Sequence, residues 1–214
     1  MLQDVDIITP SSESTSILSH ARIVGQTKTR AMAAWAERRG FVTRIHERLF
    51  DQSFQRQKDE PAVALCGLDN ALGRRALDQV GFKFVVEAGL GRDYLNFQTM
   101  RLHTLPGKKA ASDIWKAKGS SEQVHERPAY QALMKAGLLD QCGITLLGGK
   151  AVGAPFVGSV AACLAISEVL RLLCGGKLSQ LIDLDLKCVD HRSVIAQARD
   201  FSDLNPGYVS TFSN

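Results

Sequence analysis

The sequence predicts an α/β domain: a largely parallel sheet with helices on both faces, closing in C-terminal antiparallel strands. Three observations predict it. Two apolar runs, 62–66 and 83–87, are too short to be helices. A segment of helical pattern, 70–80, lies between them, and such alternation builds a parallel sheet covered on both sides. After residue 96 the pattern changes: 96–105 reads as a longer strand with no crossover helix behind it, as antiparallel neighbours allow.

The elements follow in order. Residues 2–8 form a first short strand, and 10–19 a Ser/Thr-rich loop. Ile23, Ala31, Ala34 and Trp35 give 22–39 an apolar helical face, and Gly40 stands where a helix C-cap is expected. Residues 41–49 alternate apolar or β-branched with basic, the pattern of a half-buried strand. The stretch 106–128 is polar and reads as a surface insertion. A short helix at 128–136, stopped by Gly137, and a glycine-rich loop at 143–153 come next. A long apolar helix covers 155–173, and 178–190 alternates as a last strand. No repeat or second domain interrupts the 214 residues, so 1–214 reads as a single domain.

Composition narrows the classes. Twenty-six basic residues against 22 acidic leave a net charge of +4, which does not call for nucleic acid. Five cysteines, with no Cys-x-x-Cys pair, give neither a disulfide framework nor a zinc site. The N-terminus lacks the pattern of a signal peptide. The apolar stretch 153–174 is interrupted by Ser159, Ser167, Glu168 and Arg171, which suits a buried helix better than a membrane span. A cytoplasmic protein is expected.

In open parallel sheets, ligands bind beyond the carboxyl ends of the strands. Asp4, or Asp6, ends the first strand, where a carboxylate can hold a ribose diol or merely cap a turn. Asp69 follows the strand 62–66, where it could serve a phosphate-bound cation such as Mg²⁺ or cap a helix. Lys28 begins its helix, where the dipole disfavours a cation, so it asks for an anionic partner unless it is simply solvated. Gly89-x-Gly91 and Gly149-Lys150 both fall short of a phosphate-loop fingerprint. Cys66, Cys163 and Cys174 lie in apolar runs and read as small core residues. Cys142, in a polar glycine-rich setting, is the candidate nucleophile, with a structural cysteine as the alternative. Cys188 and His191 have metal-like spacing but no partner pair.

Taken together, these motifs resemble the ThiF/MoeB/HesA superfamily, the bacterial relatives of ubiquitin-activating enzymes. Asp4-Val5-Asp6 resembles the family's Asp-x-Asp strand end, and Val24 to Lys28, VGQTK, its lysine helix. Cys66-Gly67-Leu68-Asp69-Asn70 resembles the Cys-x-Asp-Asn element with one extra residue, and Arg74 the arginine after it. VVEAGLG resembles the next strand and turn. APFVGSVAACLAISEVLRLL resembles the late helix, with Glu168 at its acidic position.

The resemblance implies a Rossmann-like fold and an ATP- and Mg²⁺-dependent adenylyltransferase. Its substrate would be the C-terminal carboxylate of a ubiquitin-like or sulfur-carrier protein, and the chain would act as a homo- or heterodimer. Asp4 would hold the ribose, Lys28 the phosphates, and Asp69 the Mg²⁺. Asn70 and Arg74 would support the nucleotide site, and Cys142 would stand where some members carry a transfer cysteine. The chain also departs from the family. The first family strand and its glycine-rich loop have no counterpart before Asp4, and SSESTS replaces a loop that carries an arginine. These departures favour either a start codon misplaced downstream of the real one or a pseudoenzyme or partner subunit. A nicotinamide dehydrogenase shares the architecture but leaves VGQTK and the Asp69-Asn70…Arg74 element without a purpose.

Overall fold

The computed structural model describes residues 1–91, 96–116, 132, 135–136 and 154–204. Strand β4 (Phe84–Leu90) organises the larger sheet. It pairs in parallel with β3 (Val63–Cys66) and antiparallel with β5 (Thr99–Leu105). Antiparallel β6 (Ser179–Asp185) and β7 (Arg192–Ala196) follow, giving the order β3-β4-β5-β6-β7. A separate parallel pair joins β1 (Leu2–Gln3) to β2 (Ile45–His46). Among the described residues parallel pairing is confined to β1–β2 and β3–β4, and the C-terminal strands are antiparallel as expected. Among the described residues β1 pairs only with β2 and β3 only with β4.

Successive strand residues face opposite sides, so β4 serves two cores. Phe84 and Val86 point to one side, with Met100 and Leu102 of β5. Helix α5 (Pro155–Leu173) covers that side with Val157, Ala161, Ala165 and Leu172. Val85 and Leu105 point to the other side, under α3 (Ala71–Ala76) and α4 (Ala111–Ile114), where Leu77 and Ala111 are fully buried. Phe50, Phe54 and Phe82 stack beside α3 against Ala76 and Val80, and tie the segment after β2 to the larger sheet.

Helix α5 has the predicted bounds and carries a proline in its first turn. Its length and apolarity would suffice for a membrane span, but one side packs on the sheet and holds a buried carboxylate. Glu168 is 1% exposed; its Oε2 accepts the Ser179 N–H at 2.7 Å, and its Oε1 lies 3.0 Å from Arg171 Nη1. The acidic position of this helix therefore starts β6.

Several expectations are corrected. The helix foreseen at 22–39 is broken: a 3₁₀ turn occupies Ala21–Ile23, and α2 runs only Lys28–Glu37. Gly25 between them has φ +91°, outside the helical region. Residues 2–8 hold only a two-residue strand, with Ile7 bridging to Thr27. The loop 10–19 contains a short helix, α1 (Ser12–Thr15). In 41–49 only Ile45–His46 is strand, and Phe41 and Val42 are exposed, so the alternation there matches no buried face. The last strand is two, β6 and β7, with the turn carrying Cys188 and His191 between them. The start of the 106–128 insertion is packed rather than superficial: Ala111 is fully buried and its N–H binds Asp78 Oδ2 at 2.6 Å. Cys163 and Cys174 are exposed, because α5 turns them away from the sheet. The helix at 128–136, save isolated positions, and the loop at 143–153 lie outside the described residues.

Glu168→Ala removes the acceptor of a buried N–H, so we expect a loss of about 2–4 kcal/mol. Thermal unfolding should fall by roughly 5–15 °C for a chain of this size. Glu168→Gln keeps an acceptor and should lose distinctly less.

Candidate functional site

Two groups of predicted residues form, at the carboxyl ends of the two parallel pairs. The first gathers Asp4, Asp6 and Lys28. Asp4 Oδ1 accepts the Asp6 N–H at 2.8 Å, so Asp4 closes a tight turn just after β1. Lys28 starts α2 with its N–H on the Asp6 carbonyl, and its Nζ lies 2.6 Å from Asp6 Oδ2. The anionic partner that Lys28 requires is thus supplied internally, and both side chains are about half-exposed. Lys28 also lines a cavity of about 740 Å³ between the 12–20 segment and α2, with Trp35 and Arg38.

Beside this group, Glu47 receives Arg30 through two bonds of 2.8 and 2.9 Å, and Thr27 donates to it at 2.7 Å. These bonds hold the Glu47 carboxyl down at about 2. The cluster fixes the start of α2 against β2.

The second group follows β3. Asn70 is the N-cap of α3: its Oδ1 accepts the Gly73 N–H at 2.6 Å. Asp69 is exposed, and its carboxylate has no partner among the described residues. Arg74, one turn into α3, does not point back to Asp69. Its Nε lies 2.7 Å from Glu87 Oε1, on β4. Among the described residues, no hydrogen bond or ion pair joins Lys28 to Asp69 or Arg74. Cys142 lies outside the described residues.

Glu87 is the buried charged residue that composition did not expose. It is 1% exposed, in the run VVEAG, and is the register partner of Cys66 on β3 and of His103 on β5. Burial raises its carboxyl to about 7, although Arg74 opposes the rise. Burial, then Glu87, pushes the Cys66 thiol up to about 12, so Cys66 is no nucleophile. His103 is lowered to about 4, by burial first and then by the Arg101 and Arg74 cations. The signal available in sequence was an acid inside an apolar run, a position acids rarely occupy unless paired.

A cleft of about 170 Å³ opens over this row. Trp115 closes one wall, edge-on to His103 with ring centres 5.1 Å apart. Arg101 and Asp183 are ion-paired at its rim. Gly89 forms part of the floor, where a Cβ would stand 3.1 Å from Arg74 Nη2. The missing side chain is what lets the guanidinium lie across β4.

Replacing Asn70 by Ala should cost about 1 kcal/mol through loss of the cap, read as a small drop in unfolding temperature. Glu87 and His103 have opposite proton linkages. The raised Glu87 binds its proton more tightly in the folded state, so its stabilisation falls as pH rises from 4.5 to about 7. The depressed His103 binds less tightly when folded, so its stabilisation grows from about pH 4 to 6.5. Together they nearly cancel. Denaturant titrations of Glu87→Gln should show stability rising through pH 4–6.5, and His103→Gln stability falling through 4.5–7, each by at most about 3 kcal/mol.

Comparison with known proteins identifies the family and the fold. The BilD C-terminal domain family matches residues 1–176. A protein of Collimonas sp. (strain OK412), "Bacterial E1-like protein BilD", is 49% identical over 184 residues, 85% of this chain. The chain spans 40% of that relative's length. The fold is also that of E. coli MccB: TM-score 0.58 at 11% identity, covering 99% of this chain and 59% of MccB. MccB solved with AMPCPP and SeMet MccA aligns with TM-score 0.56 at 11% identity, covering 91% and 56%. By the extent of the match and the identity to its E1-like relative, the chain belongs to the BilD C-terminal domain family.

Proposed function

We propose that this chain carries part of the active site of an ATP-dependent E1-like adenylyltransferase. It would activate the C-terminal carboxylate of a ubiquitin-like or sulfur-carrier protein. One observation carries the reading: at the carboxyl end of a parallel strand, the Asp69 carboxylate has no partner among the described residues, while Asn70 beside it is used as the cap of α3. A relative named as an E1-like protein and a fold partner solved with an ATP analogue support it.

The chemistry is in-line attack of a carboxylate oxygen on the α-phosphorus, with pyrophosphate leaving and an acyl-adenylate formed. Asp69 fits a Mg²⁺ ligand, because Mg²⁺ takes one or two carboxylates and completes its shell with water and phosphate. The ion would be shared with the nucleotide. When bound, Mg²⁺ would neutralise charge on the triphosphate. Asp4 would receive the ribose. Lys28 would exchange its Asp6 contact for phosphate. Cys142 would serve any later transfer to a thiol. The unit would work in the cytoplasm, as a homo- or heterodimer.

A second reading, an inactive partner subunit, is favoured by the Lys28–Asp6 pair, which neutralises the lysine. ATP–pyrophosphate exchange with a ubiquitin-like acceptor separates the two. It is run on the 214-residue chain and on a form extended by any in-frame upstream sequence. For the enzyme, Asp69→Asn should lower exchange at least about 100-fold. Exchange that is absent in both forms, or indifferent to Asp69, rejects the enzymatic reading in favour of the partner subunit.

A further inference from the structure

The cleft over β4 and β5 is separate from the free carboxylate of Asp69, and its size limits what it holds. At about 170 Å³ it is well below the 300–1,000 Å³ of ordinary cofactor pockets. That volume suits one small group. Its charges decide which group. Arg101 is matched by Asp183. Arg74 is matched by Glu87 alone: Nε and Oε1 are 2.7 Å apart, and both atoms are buried. A guanidinium is planar and binds a carboxylate through two parallel bonds. A phosphate dianion would call for a second available cation, and among the described lining residues the other one, Arg101, is paired with Asp183.

We propose that this cleft is a small-carboxylate site in which Arg74 is the binding group and Glu87 the internal anion that the ligand displaces. Glu87 is then a positioning residue, holding Arg74 over Gly89 until a carboxylate arrives. The exchange balances by proton uptake. The entering carboxylate pairs with Arg74, and Glu87, left buried without its cation, takes one proton from solvent. The groups facing Glu87 permit this. Cys66 on β3 is a neutral thiol, His103 on β5 is neutral near pH 7, Arg101 is paired with Asp183, and among the described residues Arg74 on α3 is the cation in contact with Glu87. A carboxyl already raised to about 7 is poised for the step.

The probe is N-acetylglycine, with uncharged N-acetylglycinamide as control, added to the full chain. Trp115 emission is read in a Trp35→Phe background, and calorimetry in two buffers of different ionisation enthalpy counts protons. The expected result is binding of N-acetylglycine only, about tenfold weaker at pH 8 than at pH 6, with uptake approaching one proton at pH 8. Glu87→Gln should abolish the pH dependence. Arg74→Lys should weaken binding, and Gly89→Ala, whose Cβ would stand 3.1 Å from Arg74 Nη2, should weaken it at every pH. Equal binding of the amide, a pH-independent affinity in the parent chain, a retained dependence in Glu87→Gln, or indifference to Gly89→Ala would each overturn the proposal. Gly89→Ala tests the geometry even if Glu87→Gln does not fold. The readout needs no ATP and no turnover, so it stands or fails independently of pyrophosphate exchange.

Discussion

A carboxylate buried at the centre of the sheet is the constraint on which the rest of this structure depends. Glu87 occupies the side of β4 that faces α3 and α4, two residues after the fully buried Val85. Removing a carboxylate from water costs several kcal/mol unless a cation and a proton compensate. Both are at hand: Arg74 reaches across from α3, and burial favours the protonated acid. Gly89 leaves space for the Arg74 guanidinium, and Asn70 caps the helix that carries it. The cap, the glycine and the strand register are therefore one arrangement seen from three elements.

Much of this was legible before any coordinates. Helix α5 was, because nineteen apolar-rich residues with a leading proline leave little alternative. The core of β4 was also legible, as a short β-branched and aromatic run. Its continuation through Leu90 was not, because an acid normally ends a buried strand. The Arg74–Glu87 pair is a register effect, created when β3 aligns Cys66 with Glu87, and no local spacing announces it. β7 gave no sign either: all five of its residues are exposed, so no alternation between core and solvent marks it. Conversely, a helical face was read through Gly25, where the backbone leaves the helical region. Cys163 and Cys174 were assigned to the core because composition cannot say which side of an apolar helix meets the sheet.

The two predicted site groups differ in how their charges are held. At Asp6–Lys28 and Arg30–Glu47 the pairs are partly exposed and orient the beginning of α2. At Glu87 the charge is enclosed, and its neighbours are tuned by lack of water rather than by direct contact. The first group can rearrange around a large anion at small cost. The second can change only by moving a proton.

The opposed behaviour of Glu87 and His103 has an electrostatic consequence for folding itself. Near pH 6 the unfolded chain carries a carboxylate and an imidazolium at these positions, and the folded chain carries a neutral acid and a neutral base. Folding there cancels a zwitterion without altering net charge, and the two groups end as register partners on adjacent strands. Mobile ions act on charges, so added salt will loosen Arg30–Glu47 at the surface while finding little to screen between these two strands.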